Sequence, residues 1–157
     1  MEQIALPKFK ISNIEIESFS LSDLGNKRLN KTNVEFGVAV DVRLLLDKNI
    51  LRSRFIFSVY DSNNEDDIYC ELRTKVDFKF SKKLENIVTE LNKKNKKAVL
   101  PKQLHASLVA IAISTNRGII YSKLVGTALE NIYLPIVDPN FFISGKEEVD
   151  IVLKSKK

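Results

Sequence analysis

The sequence predicts an α+β domain: a four-stranded antiparallel sheet with helices packed on one face. Three observations carry this. The first half of the 157-residue chain alternates apolar and polar residues with a period of two. The second half changes to helical spacing and then to a long apolar run. The connections between the predicted strands are too short for a parallel crossover.

The opening strand is irregular. Phe9 and Ile11 sit in one phase, Ile14 and Ile16 in the other, and Phe19 and Leu21 return to the first. Each slip would flip the buried face, so a bulge or a crossing between layers is expected. The second strand is regular. Val34, Phe36, Val38, Val40, Val42, Leu44 and Leu46 alternate with Glu35, Gly37, Ala39, Asp41 and Arg43. Phe55, Phe57 and Val59 mark a third strand, whose other face carries Ile56 and Tyr60. The fourth places Ile68, Cys70, Leu72, Thr74, Val76, Phe78 and Phe80 inward, against Tyr69, Glu71, Arg73, Lys75, Asp77 and Lys79. Asp47-Lys48-Asn49 and Asp61 to Asp67 read as polar turns.

Leu84, Ile87, Val88 and Leu91 follow i, i+3, i+4, i+7, which predicts a short amphipathic helix ended by a Lys-rich stretch. Pro101 suits the first turn of a second helix. Leu104, Ala106, Leu108, Val109, Ala110, Ile111, Ala112 and Ile113 make that helix apolar nearly all round. One sheet covers only one side of it, so subunit packing is expected on the other. Arg117-Gly118 is the expected cap. Ile119 to Tyr133 carries no clear period, and Gly126 suits a break. Leu134-Pro135-Ile136-Val137-Asp138-Pro139 must be extended, because two prolines restrict it. Val149, Ile151 and Leu153 alternate like a strand. The chain reads as a single domain over 1–157, with a core over 9–143 and a basic tail over 144–157.

Composition narrows the function. Lys and Arg total 25 against 20 Asp and Glu, a formal net charge of +5. Lys93, Lys94, Lys96 and Lys97 form one cluster, and Lys154, Lys156 and Lys157 a second. No aromatic residues interleave these lysines as stacking platforms would, which argues against nucleic acid. A single cysteine, Cys70, excludes an intrachain disulfide, and a single histidine, His105, excludes a site needing two imidazoles. No apolar run is long enough to insert in a membrane, and Met1 to Lys10 has no apolar core of signal-peptide length. A cytoplasmic location is the resulting expectation.

Catalytic constellations are missing. His105 lies in the apolar helix without a nucleophile elbow near it. Cys70 falls on the core side of its strand and reads as a small hydrophobe. Asp61 to Asp67 resembles a calcium loop only faintly, since Asp66 stands where a glycine is needed and Leu72 where the last ligand is needed. No phosphate loop or dinucleotide fingerprint occurs. The expectation is a protein without catalytic residues, metal or cofactor.

The order of elements resembles the protein-export chaperone SecB and its SecB-like relatives. Tyr69-Cys70-Glu71-Leu72 is similar to the Cys-Glu-Val strand of that family. Leu100-Pro101, the apolar helix and Ser114-Thr115-Asn116-Arg117-Gly118 resemble its proline-started helix ending in Ser-Arg-Gly. Leu134 to Phe141 resembles the Ala-Pro-Val-Asn-Phe lead-in to its C-terminal helix. The resemblance implies a homotetramer, built as a dimer of dimers, that holds unfolded or partly folded clients without ATP, for export or for one dedicated partner such as an antitoxin. It implies a subunit interface at Cys70 and Leu72, extended by Leu104, Leu108 and Ile111. It places Tyr69 and Glu71 on the strand face that SecB presents to the translocase motor SecA. Client contacts fall to Phe55, Ile56, Phe57, Tyr60 and Phe78, with Tyr69 a further aromatic candidate.

The chain also departs from that family. SecB proteins are acidic, whereas Arg73, Lys75 and Lys79 stand beside Glu71 and Asp77 here. The connection from Leu21 to Asn33 is polar and basic rather than aromatic. The acidic docking face for SecA is therefore not carried over. The alternative reading is a basic module that binds nucleic acid or an acidic protein surface through Lys93 to Lys97.

Overall fold

A computed structural model describes residues 6–24, 29, 33–145 and 148–153. Four long strands come first: β1 (Phe9–Leu21), β2 (Val34–Leu45), β3 (Ile50–Asp61) and β4 (Asn64–Phe80). Two short strands follow, β5 (Glu90–Asn92) and β6 (Lys97–Val99). Helix α1 (Lys102–Leu124), the short helix α2 (Pro139–Ile143) and strand β7 (Glu148–Val152) complete the order. The sheet has seven strands in the order β1-β4-β3-β2-β7-β6-β5. It is mixed, because β7 runs parallel to β2 while the other pairs are antiparallel. This corrects the four-stranded antiparallel expectation. The four predicted strands form one half of the sheet, and three short ones extend it past β2.

Cross-strand register explains the core. Directly paired residues share a face. Leu44, Leu51, Phe78 and Ile11 form one row across the sheet, and Val40, Phe55, Thr74 and Ile16 another. The two phase slips of β1 are bulges, one at Ser12 and one at Glu17, where the register to β4 skips a residue. They bring Ile14 and Ile16 back to the face of Phe9 and Phe19, as the slips in the sequence require.

Helix α1 has 23 residues and lies on that face, chiefly across β3. It is about 34 Å long at 1.5 Å per residue. Leu104, Leu108, Val109, Ala112, Ile113, Ile120 and Leu124 are buried beneath it. Asn116 is also fully buried; its amide donates to the Ala112 carbonyl (2.8 Å) and its Oδ1 accepts from the Thr74 hydroxyl (2.6 Å). A buried polar pair satisfied in this way sets the rotation of the helix on the sheet. The helix does not stop at Arg117-Gly118 as expected. It continues to Leu124, and Gly126 at φ 77° supplies the left-handed turn beyond it.

Two further expectations are corrected. Leu84 to Leu91 is not a helix. Leu84–Asn86 is one 3-10 turn, and Glu90–Asn92 enters the sheet as β5. A two-turn helix is marginal by itself, and pairing with β6 satisfies the backbone instead. The region 144–157 is not all tail. β7 occupies Glu148–Val152, with Val149 and Ile151 buried. Lys154, Lys156 and Lys157 lie outside the described residues, as does most of the connection before Asn33. Among the described residues, no helix is long and apolar enough to cross a membrane.

Candidate functional site

The chain after α1 builds an apolar surface by alternation. The Thr127 hydroxyl donates to the Leu124 carbonyl (2.7 Å) and accepts from the Leu129 amide (3.1 Å), which turns the chain back along the helix. Leu129, Ile132 and Leu134 are buried and pin the returning segment. Tyr133 therefore points outward and is 51% exposed, while Ile136, between the two prolines, is 95% exposed. The Arg117 guanidinium donates to the Pro135 carbonyl (3.4 Å) and holds the segment beside α1.

A groove of about 420 Å³ runs between helix and segment, lined by Arg117, Gly118, Ile120, Tyr121, Ile132 and Tyr133. Tyr121 and Tyr133 stack with ring centroids 6.4 Å apart. A Cβ added to Gly118 would meet no atom within 4 Å, so glycine there leaves the groove floor open. At α2, Asp138 accepts from the Asn140 amide (2.9 Å) and caps the helix. Ile143 is buried beneath it, and Phe141 is 78% exposed on its outer side. Tyr121, Val125, Tyr133, Ile136 and Phe141 are thus all large apolar residues left facing solvent.

The opposite face of the sheet is ionic at one end. Arg52 donates twice to Asp77 (2.7 and 2.8 Å), and Lys75 contacts Glu17 (2.6 Å). Glu17 titrates below the ordinary carboxylate range, chiefly through its hydrogen bond to Lys75. The other end of this face mixes Gly37, Ala39, Ile56 and Tyr60 with the charged Glu35, Glu71 and Arg73.

The residues singled out from the sequence do not gather in one place. Phe55, Phe57 and Phe78 are fully buried between sheet and helix and present no surface. Ile56 and Tyr60 are half-buried on the far face. Cys70, Leu72, Leu104 and Leu108 belong to the subunit's own core, and Ile111 is half-buried on α1. Burial, followed by the nearby Glu71, pushes the Cys70 thiol up to about 11, so it stays protonated and unreactive.

Tyr69 is corrected. It is the extra residue of a bulge opposite Val59 and Tyr60, so it turns inward with Cys70, and its hydroxyl donates to Asp61 (2.5 Å). The same bulge turns Ile68 outward. Glu71 stays on the outer face and accepts from Arg73 (2.8 Å). Within the lysine cluster, which forms the β5–β6 turn, Lys93 pairs with Glu85 and Lys97 with Asp150, both at 2.7 Å. Half of that cluster is already neutralised within the molecule.

Sequence reasoning missed the exposed groove. Its signal was present in Tyr121 and Val125, one helical turn apart, and in Ile136 flanked by two restrictive prolines.

No family model matches the chain, and no curated protein matches it. Among solved structures, the chain is similar to a SecB-like chaperone of Mycobacterium tuberculosis in complex with a ChAD peptide from the HigA1 antitoxin. The TM-score is 0.49 and the identity 11%, over 82% of this chain and 87% of that one.

Proposed function

We propose that the protein is an ATP-independent chaperone of SecB-like type that holds unfolded segments of client proteins. The exposed apolar set Tyr121, Val125, Tyr133, Ile136 and Phe141 carries this reading. Such residues are expensive to leave in water. Covering each stabilises a complex by up to about 1.5–3 kcal/mol before ordering costs are subtracted. An unfolded segment offers apolar side chains in any order, and a groove of stacked aromatics meets them without demanding one sequence. A binder of this kind acts by mass action on the unfolded state and needs no nucleotide. The ordered motifs around Cys70, Pro101 and Pro135 support the same reading. A dimer of dimers and a cytoplasmic location belong to this proposal, as in the family it resembles. The ionic face around Arg52 and Lys75 favours a partner other than an acid-seeking motor.

Light scattering of a denatured client, diluted with and without the protein in the absence of ATP, tests the reading. Wild type should suppress aggregation at stoichiometric amounts. Tyr133→Ser with Phe141→Ser should lose most of that suppression at unchanged thermal stability, since both side chains are exposed. Wild-type protein that leaves aggregation untouched would refute the proposal.

A further inference from the structure

The groove between α1 and the returning segment holds one charge. Among the described residues that line it, Arg117 alone is ionised at neutral pH. A guanidinium has five N–H donors. Arg117 uses one on the Pro135 carbonyl, at 3.4 Å, and no carboxylate pairs with it among the described residues. The acids of the returning segment are engaged elsewhere. Glu130 accepts from the Gly126 amide (3.3 Å) and Asp138 from the Asn140 amide (2.9 Å). Lys123, in the last turn of the helix, reaches over the Phe19 ring of β1 (5.6 Å). The groove is thus an apolar trough with one unneutralised cation, and no carboxylate lines it to receive a basic side chain.

Helix geometry sets where that cation stands. Arg117, Tyr121 and Val125 follow one another four residues apart along α1 and into its C-cap. Each step is about 6 Å at 1.5 Å per residue. In an extended peptide, side chains on one face recur every second residue, about 6.4–6.8 Å apart. The two repeats agree to within about 1 Å. An extended segment laid along the groove therefore meets Arg117, then the stacked Tyr121 and Tyr133 rings, then Val125, with every second side chain.

We propose that the groove selects client segments in which an acidic residue stands two positions from an apolar or aromatic one, with a second apolar residue two positions further. Arg117 takes the carboxylate, the two tyrosines take the middle side chain, and Val125 takes the last. The contacts are made by side chains, so either chain direction fits. Arg117 sets a bias among clients and not a requirement, since the apolar contacts remain without it. This rests on the chaperone reading of the groove and names the kind of segment it holds.

The protein contains no tryptophan, so a tryptophan peptide is a clean fluorescent probe. The reference peptide is capped at both ends, with Trp at its centre, Glu two residues before it, Leu two residues after it and Ser elsewhere. Wild type should bind it about fivefold more tightly than its Gln version, as a charge-assisted pair at an exposed site allows. The Lys version should bind most weakly. Moving Glu one residue along, onto the other face of the peptide, should remove the advantage, and so should high salt. Arg117→Gln should bind the Glu and Gln peptides equally, and Arg117→Glu should prefer the Lys peptide. Arg117 is exposed, and wild-type thermal melting of both variants confirms the fold. Equal binding of the Glu and Gln peptides by wild type, or a Glu preference that survives Arg117→Glu, would overturn the proposal. So would no change in tryptophan emission with any peptide at millimolar concentration. Suppressed aggregation in the light-scattering assay would then leave the chaperone reading standing, and its absence would remove both.

Discussion

Individual side chains decide more here than their types suggest. Tyr69 and Ile68 alternate correctly in the sequence, yet each faces the opposite way to its phase, because one bulge residue lies between Cys70 and the pair of Ile68 with Tyr60. A bulge leaves no reliable trace when both residues involved are apolar, so that reversal was not legible. Cys70 and the two slips of β1 were legible, since polar neighbours mark the phase on either side. His105 shows a different limit. Its burial is foreseeable from Leu104 and Leu108, but how far it is desolvated is a three-dimensional fact. That desolvation has a consequence for stability. It holds folded His105 below the ordinary imidazole value of 6.5. The unfolded chain thus binds more protons as pH falls below that value, and stability is lost from there down to the folded pKa. Above 6.5 the group contributes no further change. Asp41, Lys97, Glu148 and Asp150 are the charged groups lining the cavity that His105 borders. His105→Gln should flatten the fall in urea midpoint between pH 6.5 and 5.5, a slope of at most about 1.4 kcal/mol per pH unit.

Elements are legible in the sequence where one period runs long and obscure where it is short. β2 and β4 keep a period of two for a dozen residues or more, and their register follows from it. Leu84 to Leu91 satisfies a helical template with four residues, but so few matches also fit a 3-10 turn followed by a strand. Tertiary pairing between β5 and β6 settles it. Helix α1 runs past the end expected at Arg117-Gly118 and reaches Leu124. A glycine inside a helix stops nothing by itself; it only weakens the helix. At this position its absent side chain leaves the groove beside Tyr121 open. Gly118→Ala should therefore raise stability by about 0.5–1 kcal/mol, measured by urea denaturation. Gly118→Phe should fill the groove and cut client holding in the light-scattering assay while thermal stability stays at the wild-type level. Retained holding in that variant would place the client elsewhere.

At the scale of the whole molecule, the fold class was legible because four alternating strands and one apolar helix dominate the chain. The three-strand extension was not. It depends on pairing Lys97–Val99 with Glu148–Val152, segments far apart in sequence and too short to announce themselves. The candidate groove was hidden for a related reason: exposure depends on what fails to cover a residue. Removing the chain after Gly145 should cost several kcal/mol, since Val149 and Ile151 alone bury side chains worth about 1.5–3 kcal/mol each. Denaturant unfolding would measure the loss, and limited proteolysis should then cut first between Glu90 and Val99. Unaltered stability would show that the extension is dispensable. The parallel seam between β2 and β7 covers only Arg43 to Leu45 against Asp150 to Val152. It also sets a timetable. β6 reaches the sheet only through β7, so the β5–β6 hairpin has no docking edge during synthesis until residue 152 has left the ribosome. Half of the sheet can close early around β1 to β4, and the rest must wait for β7.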